Sequence, residues 1–187
     1  MAVPSVHELI LRRHSGRAIA SDPVDRGTIE TMLEAARWAP SSGNAQPWRF
    51  VVVDEQPALQ EARNALKPGN QTWAASAPIL LIICANPADD YDVNGQQLYL
   101  FDSGLAVQNL LLQGVHLGLV VHPMAGWDED AMRQAIALPL PYRIMCVVAA
   151  GYPAPITVLS EELQKRETAV RSRKELAEIR YFNRWSS

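Results

Sequence analysis

Residues 102–116 read DSGLAVQNLLLQGVH, and their pattern governs how the rest of the chain has to be arranged. Leu105, Val107, Leu110, Leu111, Leu112 and Val115 point in most directions around a helical axis. A helix apolar on all sides has to be buried on all sides. In a chain of 187 residues, that puts it at the centre of the core or in a subunit interface.

The segments around this helix alternate between strand and helix patterns. Upstream, PILLIICA (78–85) is a continuous apolar run of strand length and predicts a buried central strand. Between the two lies NPADDYDVNGQQ (86–97), a polar loop of the length often used for lids or binding segments. Downstream the pattern predicts a strand at 118–122, a turn PMAGW (123–127), a helix at 128–138 and a strand at 143–151. Towards the N-terminus, residues 4–13 and 25–38 have helical spacing, the second with Asp25 as its cap and Pro40 as its stop. APSSGNAQPW (39–48) is a loop by composition, RFVVVD (49–54) a strand, 56–66 a short helix and KPGNQ a turn. After Gly151-Tyr152-Pro153 the composition changes. Lys165, Arg166, Arg171, Arg173 and Lys174 precede RYFNRW with no long apolar run, which predicts an arm laid over a surface. The division is a body at 1–153 and an arm at 154–187.

With 48% apolar and 20% charged residues, the chain suits one globular domain and is too apolar for disorder. A net charge of -3 gives no overall attraction to nucleic acid or to an anionic membrane, so neither is expected as a partner. The N-terminus reaches charge before a signal-peptide core forms, and no apolar run approaches the ~20 residues of a membrane span. The expectation is a soluble, cytoplasmic protein. Cys84 and Cys146 lie in apolar, strand-like runs and read as buried, reduced thiols. His7, His14, His116 and His122 lack close metal-ligand spacing, so no metal site is expected. Dinucleotide, P-loop, zinc-protease, CxxC and nucleophile-elbow signatures are absent. No catalytic side chain is proposed; if the chain is an enzyme, its chemistry is expected to belong to a cofactor.

Three segments concentrate polar chemistry. Arg12-Arg13-His14-Ser15-Gly16-Arg17 gathers donors suited to phosphate at a helix end, where they equally suit a solvated patch on the helix dipole. Pro40-Ser41-Ser42-Gly43-Asn44-Ala45-Gln46-Pro47-Trp48 can approach a flat ring and bond its edge, or can simply connect two elements. Arg171-Ser172-Arg173, taken alone, reads as solvated charge.

The order RRHSGR, APSSGNAQPWRFVVV, DSGLAVQNLLLQGVHLGL, PMAGW, AAGYP and RSR resembles the FMN-dependent nitroreductase family over roughly residues 5–176. The resemblance implies an α+β fold, a mostly antiparallel sheet flanked by helices. It also implies an intertwined homodimer with FMN at the subunit interface, the 102–116 helix at its centre and the arm crossing to the partner. It places Arg13, His14 and Ser15 at the phosphate and ribityl positions, with Arg17 at the pyrimidine edge. Pro40, Ser41, Ser42, Asn44 and Gln46 would line the ring from the other subunit. Backbone amides near Ala125 and Gly126 would sit by N5 and O4, and Arg171 and Arg173 would close on the phosphate. Many members carry Glu or Gln where Ala125 stands. In KPGNQTW, Asn70, Gln71 and Trp73 are present without a clearly matching Lys for the pyrimidine. The implied activity passes hydride from NADH or NADPH through the flavin to a small-molecule acceptor such as a nitroaromatic or quinone. Alternatives are a flavin-binding storage or redox-sensing protein, and a flavin-fragmenting or dehalogenating enzyme of the same fold.

Overall fold

A computed structural model describes residues 5–91 and 93–185. In chain order the elements are α1 (Glu8–Arg12), α2 (Arg26–Arg37), β1 (Trp48–Val53), α3 (Ala58–Asn64), α4 (Pro68–Ala74) and β2 (Ile79–Ala85). There follow α5 (Leu98–His116), β3 (Val120–Met124), α6 (Glu129–Ala135), β4 (Arg143–Gly151), α7 (Glu161–Glu167) and α8 (Leu176–Ile179). The strands form one antiparallel sheet in the order β1-β2-β4-β3. This is the α+β arrangement the sequence predicts.

All seven residues of β2 are buried, and strand alternation sends them into two separate cores. Leu80, Ile82 and Cys84 meet α3, α4, α6 and α7 through Leu59, Trp73, Met132 and Leu163. Ile79, Leu81 and Ile83 meet α2 and α5 through Ile29, Met32, Ala106 and Leu110. Asp25 caps α2 by accepting from the Thr28 N–H at 2.9 Å, as expected. Register is continuous from Val51 through Ile82 to Val147, with a shift between Ile83 and Cys84.

Several boundaries differ from the sequence reading. The predicted N-terminal helix began at residue 4, which lies outside the described residues; α1 starts after His7 and buries no residue. KPGNQ is not a turn: Pro68 opens α4 at a position where a missing N–H costs nothing. The strand expected at 118–122 lies two residues later, and Pro123 is tolerated in it because β3 is an edge strand. The first part of the predicted arm is built into the body. Ser160 caps α7, whose Leu163 joins the core, and only from Thr168 to Trp185 is every residue exposed.

The helix α5 starts at Leu98, four residues before the predicted boundary, because the left-handed pair Asn94-Gly95 ends the loop early. One chain covers only one of its faces. Ala106, Leu110, Leu111 and Gly114 are buried, while Leu105, Val107, Leu112 and Val115 remain half-buried and Phe101 is exposed.

Gly114 lets α5 pack closely on β3 and α2: a Cβ there would lie 2.6 Å from Val121 Cγ1 and 3.1 Å from Met32 Cε. Gly114→Ala gains about 1 kcal/mol of helix propensity but overpacks at a cost of about 1–3 kcal/mol. We expect net destabilisation, read as a lower urea midpoint with an unchanged slope. A higher midpoint would mean that α5 can move away from β3.

Candidate functional site: a basic cavity at the sheet edge

The N-terminal segment is tied to the edge of the sheet just beyond α1. Ile19 bridges Pro153, the Ala20 N–H donates to the Tyr152 carbonyl at 2.8 Å, and the Ala154 N–H donates to Ala18 at 2.9 Å. Gly16 passes so close to β3 that a Cβ would sit 3.0 Å from Val120 Cγ1 and 3.1 Å from a Glu167 oxygen. The Gly16 carbonyl accepts from His122 Nδ1 at 3.0 Å, which assigns the ring proton to Nδ1 because a carbonyl can only accept. His122 is buried, and its ring lies on Trp73 with centroids 4.3 Å apart.

This anchoring turns Arg13, His14, Ser15 and Arg17 towards α7 and the arm. Together with Arg166, Arg171 and Arg173 they bring five guanidinium groups to one cavity of about 360 Å³. Arg171 reaches back to the N-terminal segment, donating to the Leu11 carbonyl at 2.6 Å and to Arg13 at 3.0 Å. Arg13 points towards the Ser15 hydroxyl at 3.5 Å. Burial, together with the charges of Arg171 and Arg173, lowers the Arg13 pKa, so an anion here would relieve repulsion that the site carries. Glu167 also lines the cavity, accepting from the Arg17 N–H at 2.8 Å and facing Arg17 Nη1 at 3.4 Å. Neither His122 nor Glu167 was among the residues singled out from the sequence.

At the other end of β3, Ala125 and Gly126 follow the last paired residue, about 16 Å along the strand from Val120. The Gly126 carbonyl accepts from the Lys67 N–H and from Asn70 Nδ2, both at 3.0 Å. The sequence reading found no matching Lys in KPGNQTW, yet Lys67 opens that segment and lies against this turn.

The loop at 40–46 is held elsewhere. Asp102 in the first half of α5, 1% exposed, accepts from the Ser42 N–H at 2.9 Å and from its hydroxyl at 3.3 Å. Ser41 Oγ accepts from the Gln46 N–H at 3.0 Å, and the Gln46 amide donates to Asn44 Oδ1 at 3.1 Å. Gly43, Asn44 and Gln46 all have positive φ, a conformation that glycine and asparagine adopt readily and that costs energy only at Gln46. Pro40 precedes them and is exposed. The basic segment lies by the other end of α5, where Leu9 of α1 shares a groove with Leu112 and His116. Within one chain the loop and the basic cavity are therefore about 20 Å apart along the helix.

Burial raises the Cys84 thiol to about 12 and Cys146 to about 11, so both are poor nucleophiles. Among the described residues no group of three His, Cys, Asp or Glu could hold a metal ion, and no helix is long and apolar enough to cross a membrane.

A family model described as the nitroreductase family matches residues 10–67 and 54–152. A protein of Archaeoglobus fulgidus, named for a provisional NADH dehydrogenase/NAD(P)H nitroreductase activity, is 32% identical over 151 residues, covering 78% of this chain and 84% of that protein. An NADH dehydrogenase of Thermus thermophilus is 33% identical over 177 residues, covering 77% and 84%. A solved structure described as an oxidoreductase containing FMN superposes with a TM-score of 0.89 at 29% identity, covering 100% of this chain and 96% of that one.

The His122 contact has a pH signature. Burial and the charge of Arg17 push its pKa from 6.5 to about 4, against the opposing pull of the Gly16 carbonyl and Glu167. The unfolded chain therefore takes up the proton first. Stability is full above about pH 6.5 and falls as pH drops towards 4, by up to about 3 kcal/mol. His122→Phe keeps the ring on Trp73 and removes the titration, so its unfolding free energy should vary less between pH 7 and 4. An unchanged slope would assign the acid sensitivity to other groups.

Proposed function

The chain belongs to the nitroreductase family of oxidoreductases, and on that premise we propose that it is an FMN enzyme passing electrons from NADH or NADPH to a nitroaromatic or quinone. One observation carries the cofactor assignment: five guanidinium groups from two distant segments share one small cavity. The donor set fits FMN. Guanidinium forks match a phosphate dianion, the Ser15 hydroxyl suits a ribityl oxygen, and β3 leads from this cavity to the backbone turn at Ala125 and Gly126.

When bound, FMN supplies the centre that accepts a hydride equivalent and passes electrons on. The chain's own residues do the rest. Arg13, Arg171 and Arg173 neutralise the phosphate, with His14 and Ser15 beside it. Arg17 brings a cation to the pyrimidine edge, where negative charge develops on reduction. Amides near Ala125 and Gly126 orient the opposite edge of the ring. No side chain need act as nucleophile or acid; position and exclusion of water suffice.

The second subunit belongs to the same proposal. Leu105, Val107, Leu112 and Val115 of α5 are left half-covered, and the exposed arm carries Ile179, Tyr181, Phe182 and Trp185 to solvent. A symmetric partner would cover both. Its Pro40, Ser41, Ser42, Asn44 and Gln46 would line the ring that the cavity of the first chain holds by the phosphate. The arm expected to cross from residue 154 instead stays with its own chain through Leu163 and Arg171, so only the stretch after Arg173 would reach across.

Anaerobic stopped-flow mixing of the FMN-loaded protein with NADH, and separately with NADPH, tests turnover. Visible flavin absorbance should bleach with at least one of them and return when a quinone is added. Persistence of the oxidised spectrum with both would leave a flavin-binding protein without this activity. Sedimentation followed at the flavin absorbance should show a dimer, and a monomer holding FMN tightly would remove the two-chain site.

A further inference from the structure

Among the described residues Glu167 is the one carboxylate lining a cavity that five arginines share, and its two oxygens are engaged unequally. Oε1 accepts from the Arg17 backbone N–H at 2.8 Å, a short bond that fixes the carboxylate. Oε2 faces Arg17 Nη1 at 3.4 Å, near the limit of a hydrogen bond. The Glu167 side chain is 13% exposed and that of Arg17 25%, so the pair is screened less than a surface ion pair. The backbone around it has little freedom. Gly16 is wedged between Val120, Glu167 and His14, and its carbonyl is held by His122. The longer contact of the pair is therefore the guanidinium's, set against a carboxylate that the Arg17 N–H already engages at 2.8 Å.

We propose that Glu167 is the resident counter-ion of Arg17, a positioning residue that holds the guanidinium at the cavity wall and competes with the flavin for it. The inference rests on the reading that Arg17 faces the pyrimidine edge of FMN. An arginine shared with a fixed carboxylate gives the ligand only part of its charge. Because that charge favours the anionic reduced flavin over the neutral oxidised one, the competition tempers the reduction potential more than it weakens oxidised FMN. It also gives the empty cavity an internal anion that limits repulsion among its cations.

Glu167→Gln isolates the charge, since the glutamine oxygen can still accept from the Arg17 N–H. Affinities for oxidised FMN and midpoint potentials are compared for the parent, Glu167→Gln, Arg17→Ala and the double variant. Glu167→Gln should raise the reduced-to-oxidised affinity ratio about tenfold, or ~30 mV for a two-electron couple. Arg17→Ala should lower it. In the Arg17→Ala background the Glu167→Gln change should fall to within about twofold, because the effect runs through Arg17. Glu167→Asp, which keeps the charge, should stay near the parent ratio and guards against a folding defect in the glutamine variant. If Arg17→Ala shifts the potential but Glu167→Gln does not, or shifts it downward, the counter-ion role is wrong and the reading of Arg17 stands. If Glu167→Gln acts equally in both backgrounds, Glu167 acts on the flavin directly and the proposal also fails. If Arg17→Ala changes nothing, Arg17 does not face the flavin and the inference falls with that reading.

Discussion

The burial of β2 on both faces is the constraint on which the rest depends. A strand with no residue exposed needs cover above and below, and alternation divides its side chains between the two layers. The helices α2 and α5 cover one layer, and α3, α4, α6 and α7 the other. With α7 committed to the second layer, its last residue Glu167 lies beside Gly16, which is held to β3 by His122, while residues 18–20 pair with the chain that leaves β4. The basic cavity is thus a consequence of how the sheet is covered, and its two halves meet although about 150 residues separate them in the sequence.

Gathering arginines is unfavourable without an anion, and the structure carries that cost in visible form. Arg13 is partly buried beside Arg171 and Arg173, and its pKa is lowered in consequence. Arg171 spends its donors on backbone carbonyls of the N-terminal segment, and Arg173 donates to the Ser172 carbonyl. Among the described residues, Glu167 supplies the only carboxylate at the cavity wall. A set of cations already gathered in one cavity favours electrostatic binding of a phosphate, because part of the cost of bringing them together is met before binding.

Much of this was legible in the sequence where one local signal dominated. The apolar run at 78–85 and the Asp25 cap sat where periodicity and cap chemistry put them. The all-round hydrophobicity of α5 pointed to burial on every side, whereas within one chain only one face is buried. Legibility failed where a distant contact decided the outcome. Arg171 and Arg173 looked like solvated charge because only the fold brings them to Arg13. Asp102 looked like the first residue of a helix, whereas it lies buried one turn inside and anchors the Ser42 loop. A lone carboxylate in an apolar helix was the available signal for that anchor. Asn70 was noted in KPGNQTW, but Lys67 was passed over, and Pro68 and Gly69 suggested a turn where α4 begins. Pro123 misled for a related reason: it signals a turn in general, but an edge strand with one unpaired side accommodates it.

The account stands on the claim that the arginine cavity recognises a phosphate on a flavin. The most direct measurement compares the affinities of FMN and riboflavin for the parent, Arg13→Ala and Arg173→Ala proteins. Each lost contact removes about 1.5–3 kcal/mol, so FMN binding should weaken about ten- to a hundredfold in either variant. Riboflavin, which lacks the phosphate, should bind all three proteins nearly equally and the parent more weakly than FMN does. Equal affinity of the parent for FMN and riboflavin, or FMN binding unaffected by both substitutions, would contradict the claim and return these arginines to the role of a charged surface.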